Sequence, residues 1–389
     1  MRLGTIARFG VLLAALAAVA VLFVAFDGNT TPYTTISPRT ESAEGIQDLY
    51  TLLFWAALVV FVLVQAAIVY TVLRFRRRSE TEPRPAQIHG NKTLEIAWTV
   101  IPAAILLAIL IPTIVTMYEI NDAVGQDQNL IVEVHGKQWW WEIHYPGIGV
   151  VTANEVHIPQ DQPVQFNLKS DNVIHSFWVP QLAGKRDVIP GHITRIAFTA
   201  PYPGVYYGEC AEFCGRSHAW MRFRVIVEPR EQFEAWVASW KQGPTQGAAQ
   251  SVNTGDITRA PREFGVCLGC HRINGVRFLE GSDREIQPLP TEADATPLFG
   301  PNLSLFGCRA TIGAGILTNT PDNLELWIAN APAVKPGSWM PAYGESEENP
   351  NGLTEEQIER LVVYLESLQP EGGCYVSPDV GEPDLGIDE

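Results

Sequence analysis

Three apolar runs open the chain, and the pattern of apolar and polar positions then changes twice. The first run, 10–26, follows Arg2 and Arg8. A short apolar stretch behind basic residues predicts a signal peptide or an uncleaved signal anchor over 1–26. No clear small-x-small cleavage site follows, so both readings stand. The runs 50–73 and 96–117 are longer and contain no charged residue. Each is long enough to cross a hydrocarbon core of ~30 Å at ~1.5 Å per residue. They predict a transmembrane hairpin over 45–120, with helices at about 50–73 and 96–117. Between them lie Arg74, Arg76, Arg77, Arg78, Arg84 and Lys92. Basic loops stay on the cytoplasmic side, which puts everything after Met117 outside.

From 128 to 230 short apolar and polar runs alternate. Leu130-Ile131-Val132-Glu133-Val134 and Arg222-Phe223-Arg224-Val225-Ile226 are examples, and Pro-Gly pairs at 146–147, 190–191 and 203–204 punctuate them. That pattern predicts an all-β sandwich or barrel, with a short amphipathic helix at 230–241. The stretch 242–255 is rich in Gly, Gln, Ser and Thr and reads as a linker. Helical periodicity returns over 256–370. Thr354-Glu355-Glu356-Gln357 forms a capping box ahead of Ile358, Leu361, Val362, Leu365 and Leu368. The tail 375–389 is acidic, carries Pro and Gly, and is expected to be disordered.

A length of 389 residues suits two or three domains, and a net charge of −16 argues against a nucleic-acid partner. It also favours a basic contact face on any soluble donor. The chemistry is concentrated in two motifs. The first is Cys210-Ala211-Glu212-Phe213-Cys214, followed by His218 and Met221, with His175 upstream at the end of a strand-like run. Thiolate, imidazole and thioether together select copper over oxygen-loving ions. Two bridging thiolates with an imidazole on each side suit a two-copper centre. A zinc site or a disulfide loop is the plainer alternative, but zinc has no call for the thioether.

The second motif, Cys267-Leu268-Gly269-Cys270-His271, is the attachment signature of a c-type haem. Its histidine supplies one axial ligand, and a methionine is the usual second. The chain has four methionines. Met1 is the first residue, Met117 lies in an apolar run and Met221 sits in the copper loop, which leaves Met340. A core methionine is the bland alternative. Cys308 and Cys374 remain, as two buried thiols or as a disulfide, the commoner outcome outside the cytosol. His89, His135, His144, His157 and His192 show no ligand pattern and read as surface or structural.

On these residues the chain resembles subunit II of haem–copper cytochrome c oxidases, in the form with a fused C-terminal cytochrome c. Leu94-Glu95-Ile96-Ala97-Trp98, Gly136-Lys137-Gln138-Trp139-Trp140-Trp141, His175-Ser176-Phe177-Trp178, the 210–221 loop and Cys267–His271 occur in family order. The resemblance implies a multidomain chain. It comprises the membrane hairpin, a cupredoxin-like all-β sandwich (128–230) and an all-α class I cytochrome c domain (256–370). It implies two coppers held by His175, Cys210, Cys214, His218, Met221 and the Glu212 carbonyl, and a magnesium ion reached by the Glu212 side chain. It implies one covalent haem c on Cys267, Cys270, His271 and Met340, with Pro301 bonding the axial histidine. Trp139 corresponds to the electron-entry aromatic and Glu95 to a carboxylate near a proton-pathway mouth. Asn172 stands where an aspartate is common, with Asp171 one residue earlier, and Lys137 stands where a histidine is common.

The implied function is electron entry from soluble cytochrome c or a quinol–cytochrome c reductase. Electrons pass through haem c and copper to subunit I, where O2 is reduced to water and protons are pumped. Subunits I and III are the implied partners, and a bacterial inner membrane is the implied location, with the metal domains outside. A stand-alone carrier would not need Glu95 and Trp98 in a hairpin. A quinol-oxidase subunit would lack the copper ligands, and a copper-delivery protein would not carry covalent haem.

Overall fold

The computed structural model describes residues 33–77, 79, 81, 86–122, 125–127, 129–244, 259–273, 278–279 and 299–374. The leader at 1–26, nearly all of the 242–255 linker and the 375–389 tail lie outside the described residues.

Two long helices come first, α1 (Glu41–Phe75) and α2 (Lys92–Asp122). Both overrun the expected 50–73 and 96–117, because polar caps add turns outside the apolar stretch. The Thr40 hydroxyl accepts a hydrogen bond from the Ala43 amide at 3.1 Å, and Glu41 and Glu44 face the positive helix end. In α2 the Asn91 side chain accepts from the Thr93 and Leu94 amides, while Glu95 accepts from the Asn91 amide. Pro102 and Pro112 sit inside α2, as membrane helices tolerate. The apolar windows of both helices have none of their residues buried, as lipid-facing spans require. Gly45 packs near Thr116, so the two outer ends meet. There the Arg39 amide donates to the Gln181 carbonyl at 2.8 Å and Thr40 donates to the Leu182 carbonyl, tying the hairpin to the next domain.

That domain is a sandwich of two five-stranded sheets. One has the order β3 (Val150–Ala153), β2 (Trp140–Tyr145), β1 (Leu130–Lys137), β5 (Pro163–Ser170), β8 (Thr194–Thr199). The other has β4 (Glu155–Pro159), β10 (Arg222–Glu228), β9 (Gly204–Cys210), β6 (His175–Trp178), β7 (Arg186–Val188). Pairing is antiparallel except β1 with β5 and β4 with β10. Alternate residues of facing strands fill the core, including Trp141, Ile143, Phe166, Leu168 and Phe177, all at most 2% exposed. Trp141, Phe177 and Phe223 form an aromatic floor, with Phe177 and Phe223 stacked at 4.5 Å and Trp141 edge-on to both. Helix α3 (Arg230–Gln242) follows, one residue longer than the expected 230–241, so the linker cannot begin before Gly243. It buries Phe233, Trp236 and Trp240 against the sandwich.

Beyond it, the described C-terminal residues hold a second core around Phe264, Leu324, Ile328, Leu361 and Leu365. They contain α4 (Pro321–Val334), α5 (Glu355–Glu366), a 3-10 helix at Arg262–Gly269 and two ribbons. The ribbons are β11 (Arg259–Ala260) with β12 (Phe278–Leu279), and β13 (Thr311–Ile312) with β14 (Leu317–Thr318). The expected all-α reading therefore needs amending: short two-residue strands stand beside the helices. The Thr354/Gln357 capping box closes in both directions. Cys308 and Cys374 are joined by a disulfide. Cys374→Ser should cost about 2–4 kcal/mol, because it frees a long loop in the unfolded chain. Thermal unfolding with and without reductant measures this. Equal midpoints for the variant, the reduced and the oxidised protein would show that the bond contributes nothing.

Candidate metal centre

The five soft side chains converge at one end of the sandwich. His175 opens β6, Cys210 closes β9, and the loop to β10 brings Cys214, His218 and Met221 back over them. Cys210 and Cys214 sulfurs stand 3.7 Å apart, unbonded, and both residues are buried. His175 Nδ1 lies 3.8 Å from the Cys210 sulfur and His218 Nδ1 3.7 Å from the Cys214 sulfur. The Met221 sulfur is 3.8 Å from Cys214, and the Glu212 carbonyl 3.2 Å from Cys210. The result is two thiols at the centre, an imidazole on each side, and one weak donor toward each sulfur.

The surroundings prepare these donors. Asn172 Oδ1 lies 2.9 Å from His175 Nε2. Accepting that ring proton leaves Nδ1 as a lone pair aimed at the sulfurs, the usual outer contact of a metal-bound imidazole. Gly136 is required here, since a Cβ would come 2.8 Å from the His175 ring. The contact between the two thiols holds Cys210 well below the usual thiol range and pushes Cys214 far above it. A cation at this point removes the conflict by binding both as thiolates. Trp139 Nε1 at 3.0 Å and Gln138 Nε2 at 2.8 Å both donate to the Cys214 carbonyl, fixing the loop from outside.

The Glu212 side chain is exposed on the loop. Glu95 lies far along the chain from these donors, exposed at the α2 start, where its hydrogen bond to Asn91 caps the helix.

The second motif lies on and just after the 3-10 helix 262–269. Cys267 and Cys270 are free thiols, and burial pushes Cys267 up to about 12. His271 Nδ1 lies 2.8 Å from the Pro301 carbonyl. A carbonyl only accepts, so Nδ1 carries the proton and Nε2 is left as a lone pair. Burial holds His271 down to about 4, which keeps the ring neutral and able to ligate. Gly300 leaves the ring its space, because a Cβ there would meet Cε1 at 2.5 Å. Met340 packs against the same core as Cys267 and Leu268. The donor set therefore suits a covalent haem.

Two features escaped the sequence reading. His135 and His144, read as lacking partners, stack at 4.8 Å within a charged cluster on β1 and β2. His135 donates to Asp171 at 3.2 Å, His144 lies 3.1 Å from Glu142, and Lys137 pairs with both Glu142 and Asp171. Burial acts upward on Glu142, but the hydrogen bond from His144 and the Lys137 charge overcome it and leave its pKa lowered. The second feature is Lys335, buried beside the metal loop. Burial pushes it down to about 7, while the Cys214 charge acts the other way. Neither feature has a sequence signal, since strand register and docking create both.

A membrane hairpin bearing a β-sandwich with a dithiolate, bis-imidazole loop defines a membrane-anchored copper protein of electron transport. Two family models match the chain: Cytochrome C oxidase subunit II, transmembrane domain, over 35–115, and its periplasmic domain, over 148–228. Cytochrome c oxidase subunit 2 of Alkalihalophilus pseudofirmus is 35% identical over 341 residues, covering 86% of this chain and 91% of the relative. Quinol oxidase subunit 2 of Bacillus cereus is 32% identical over 200 residues, covering 50% of this chain and 69% of the relative. The periplasmic domain of subunit II of cytochrome oxidase of Bradyrhizobium japonicum is 30% identical. It covers 30% of this chain and 96% of that domain, with a TM-score of 0.29. The chain belongs to the cytochrome c oxidase subunit II family, and so forms part of a haem–copper terminal oxidase, an oxidoreductase that works with subunit I.

Proposed function

We propose that this chain takes electrons from an external donor at a covalent haem c and delivers them, through a dinuclear copper site, to subunit I. The observation that carries the reading is the unbonded pair of buried thiols, 3.7 Å apart, with one imidazole beside each. When bound, the two coppers and the haem supply one-electron carriers; the chain supplies everything else. His175, Cys210, Cys214, His218, Met221 and the Glu212 carbonyl would hold the coppers. Asn172 orients His175, and Trp139 and Gln138 restrain Cys214. Two hydrogen-bonded sheets behind the ligands resist movement, so the site is organised before the electron arrives.

Cys267, Cys270, His271 and Met340 would hold the haem, with Pro301 setting the His271 ring. Arg309 is half-buried, and its Nε, out of reach of solvent, has no hydrogen-bond partner among the described residues. That orphan donor suits an acidic group such as a haem carboxylate. The A. pseudofirmus relative aligns with 86% of the chain, well beyond the two family-model matches, which supports a shared C-terminal unit. We read 256–370 as a class I cytochrome c domain, 128–230 as the cupredoxin domain and 45–120 as the hairpin. Trp139, hydrogen-bonded to the Cys214 carbonyl, is the electron-entry aromatic. The exposed Glu212 carboxylate is free to reach a magnesium ion at the subunit I contact, and Glu95 offers a carboxylate near a proton-pathway mouth. Oxygen reduction and proton pumping take place in subunit I. Subunit III and either soluble cytochrome c or a quinol–cytochrome c reductase complete the assembly in a bacterial inner membrane.

Metal analysis and spectroscopy of the purified full-length subunit test this reading. Two coppers, one covalent haem and a seven-line copper hyperfine pattern are expected. One copper, or none beside an intact haem, would make the sandwich a mononuclear or purely structural domain and reopen the quinol reading.

A further inference from the structure

The Gly-, Gln-, Ser- and Thr-rich composition of 242–255 is the sequence sign of a tethered unit. The contacts seen between the two cores describe something else. Asn302 Nδ2 donates to the Val151 carbonyl at 2.8 Å. Glu155 Oε1 accepts from the Ala310 amide at 3.1 Å, the Thr311 amide at 3.0 Å and the Thr311 hydroxyl at 3.2 Å. The Arg222 amide, directly after Met221, donates to the Ala314 carbonyl at 3.1 Å, and Ala314 packs with Trp140 and Ala153. Ser217, beside His218, donates its hydroxyl to the Pro336 carbonyl. Gly337, at φ 98°, lies against Arg216 so closely that a Cβ would stand 3.0 Å from the Arg216 Cβ.

Lys335 lies at the centre of this seam, 4% exposed. Its Nζ donates to the Trp139 carbonyl at 2.7 Å and to the Gly313 carbonyl at 2.9 Å. A buried ammonium is costly unless its hydrogen bonds are made, and these two carbonyls make them. Gly313 belongs to the C-terminal unit and Trp139 to the β1–β2 turn that restrains Cys214. One side chain thus joins the C-terminal unit to the backbone of the residue that supports the copper loop.

We infer that Lys335 is a positioning residue that locks the C-terminal unit onto the metal loop through the Trp139 carbonyl, so that electrons cross a fixed seam rather than a swinging tether. The inference rests on the haem reading for its electron-transfer consequence, but the lock itself needs no haem. The Lys335 hydrogen bonds go to two carbonyls rather than to a metal ligand, so its hold on the loop runs through Trp139. Apolar packing alone would not select a lysine here, because a residue without donors would leave the Trp139 and Gly313 carbonyls without this partner.

The test uses the assembled oxidase and the full-length subunit. In Lys335→Met, amide hydrogen exchange in peptides spanning 136–145 and 310–320 should accelerate, whether or not haem is attached. Photo-triggered electron transfer from haem to copper should slow by ~10-fold or more, the scale on which small losses of alignment act. Reduction of the haem by a small external reductant, and the copper near-infrared band, should stay as in the unaltered protein. Gly337→Ala wedges the same seam without touching Lys335 and should change both readouts in the same direction. In the unaltered protein the transfer rate should not depend on solvent viscosity. Unchanged exchange in both variants would overturn the lock, and so would a viscosity-limited rate in the unaltered oxidase. Absence of covalent haem would defeat the haem reading alone, and exchange would still judge the lock.

Discussion

Cys214→Ser is expected to abolish copper-linked near-infrared absorption and to stop electron delivery to oxygen, while the spectrum of the covalent haem survives. Cys214 contacts three other donors of the site. Its sulfur lies 3.7 Å from Cys210, 3.7 Å from His218 Nδ1 and 3.8 Å from the Met221 sulfur. Serine has nearly the same shape but offers a hard oxygen that stays protonated at neutral pH, so it does not replace a soft bridging thiolate. Losses of ~10–100-fold in affinity follow even from changes one contact removed from a metal, so losing a bridge should exceed that range. The fold should persist, since the backbone around Cys214 is held by Trp139 and Gln138 through its carbonyl. Copper content and near-infrared absorption are the measurements. A surviving band with two coppers bound would remove Cys214 from the ligand set.

Met340→Ala should leave the haem attached and lower its midpoint potential by ~100 mV or more, a modest part of the ~0.8 V over which axial ligands move haem potentials. Attachment depends on Cys267 and Cys270, which the substitution leaves alone. His271 keeps its proton on Nδ1 through Pro301, so the hold it would have on a haem iron is left alone. The substitution would remove the thioether, a donor that favours the reduced iron of a haem. Met340 packs against the same apolar core as Cys267, and its amide donates to Ser338 Oγ at 3.2 Å, which restrains the loop that carries it. Potentiometric titration decides the matter. An unchanged potential would identify another residue as the sixth ligand and return Met340 to a packing role.

Much of this was legible from residue order. The hairpin was visible because two uncharged apolar runs need no tertiary partner to be recognised. Its ends were misjudged because Thr40 and Asn91 cap the helices in polar sequence that hydropathy ignores. The Thr354–Gln357 box was readable because a cap is a local arrangement, three residues long. The metal loop was readable because four of its donors stand within twelve positions, at a spacing that a short loop can close. His175 came from pattern and resemblance, and its Asn172 partner emerged only once the β6 entry turned the side chains toward each other.

The amino-acid order by itself determined the membrane spans, the alternating strands, the donor types and the C-x-x-C-H motif, because each depends on chemistry within a few neighbouring residues. Only the tertiary structure decided what depends on distant segments meeting. It stacked His135 on His144 through the β1–β2 register, brought Asp171 to His135 through the β1–β5 pairing, and joined Cys308 to Cys374. It also placed Lys335 under the Trp139 carbonyl across a separation of almost two hundred residues. A lone lysine after a helix carries no local sign of burial, since its cost is met by acceptors that the sequence does not place beside it.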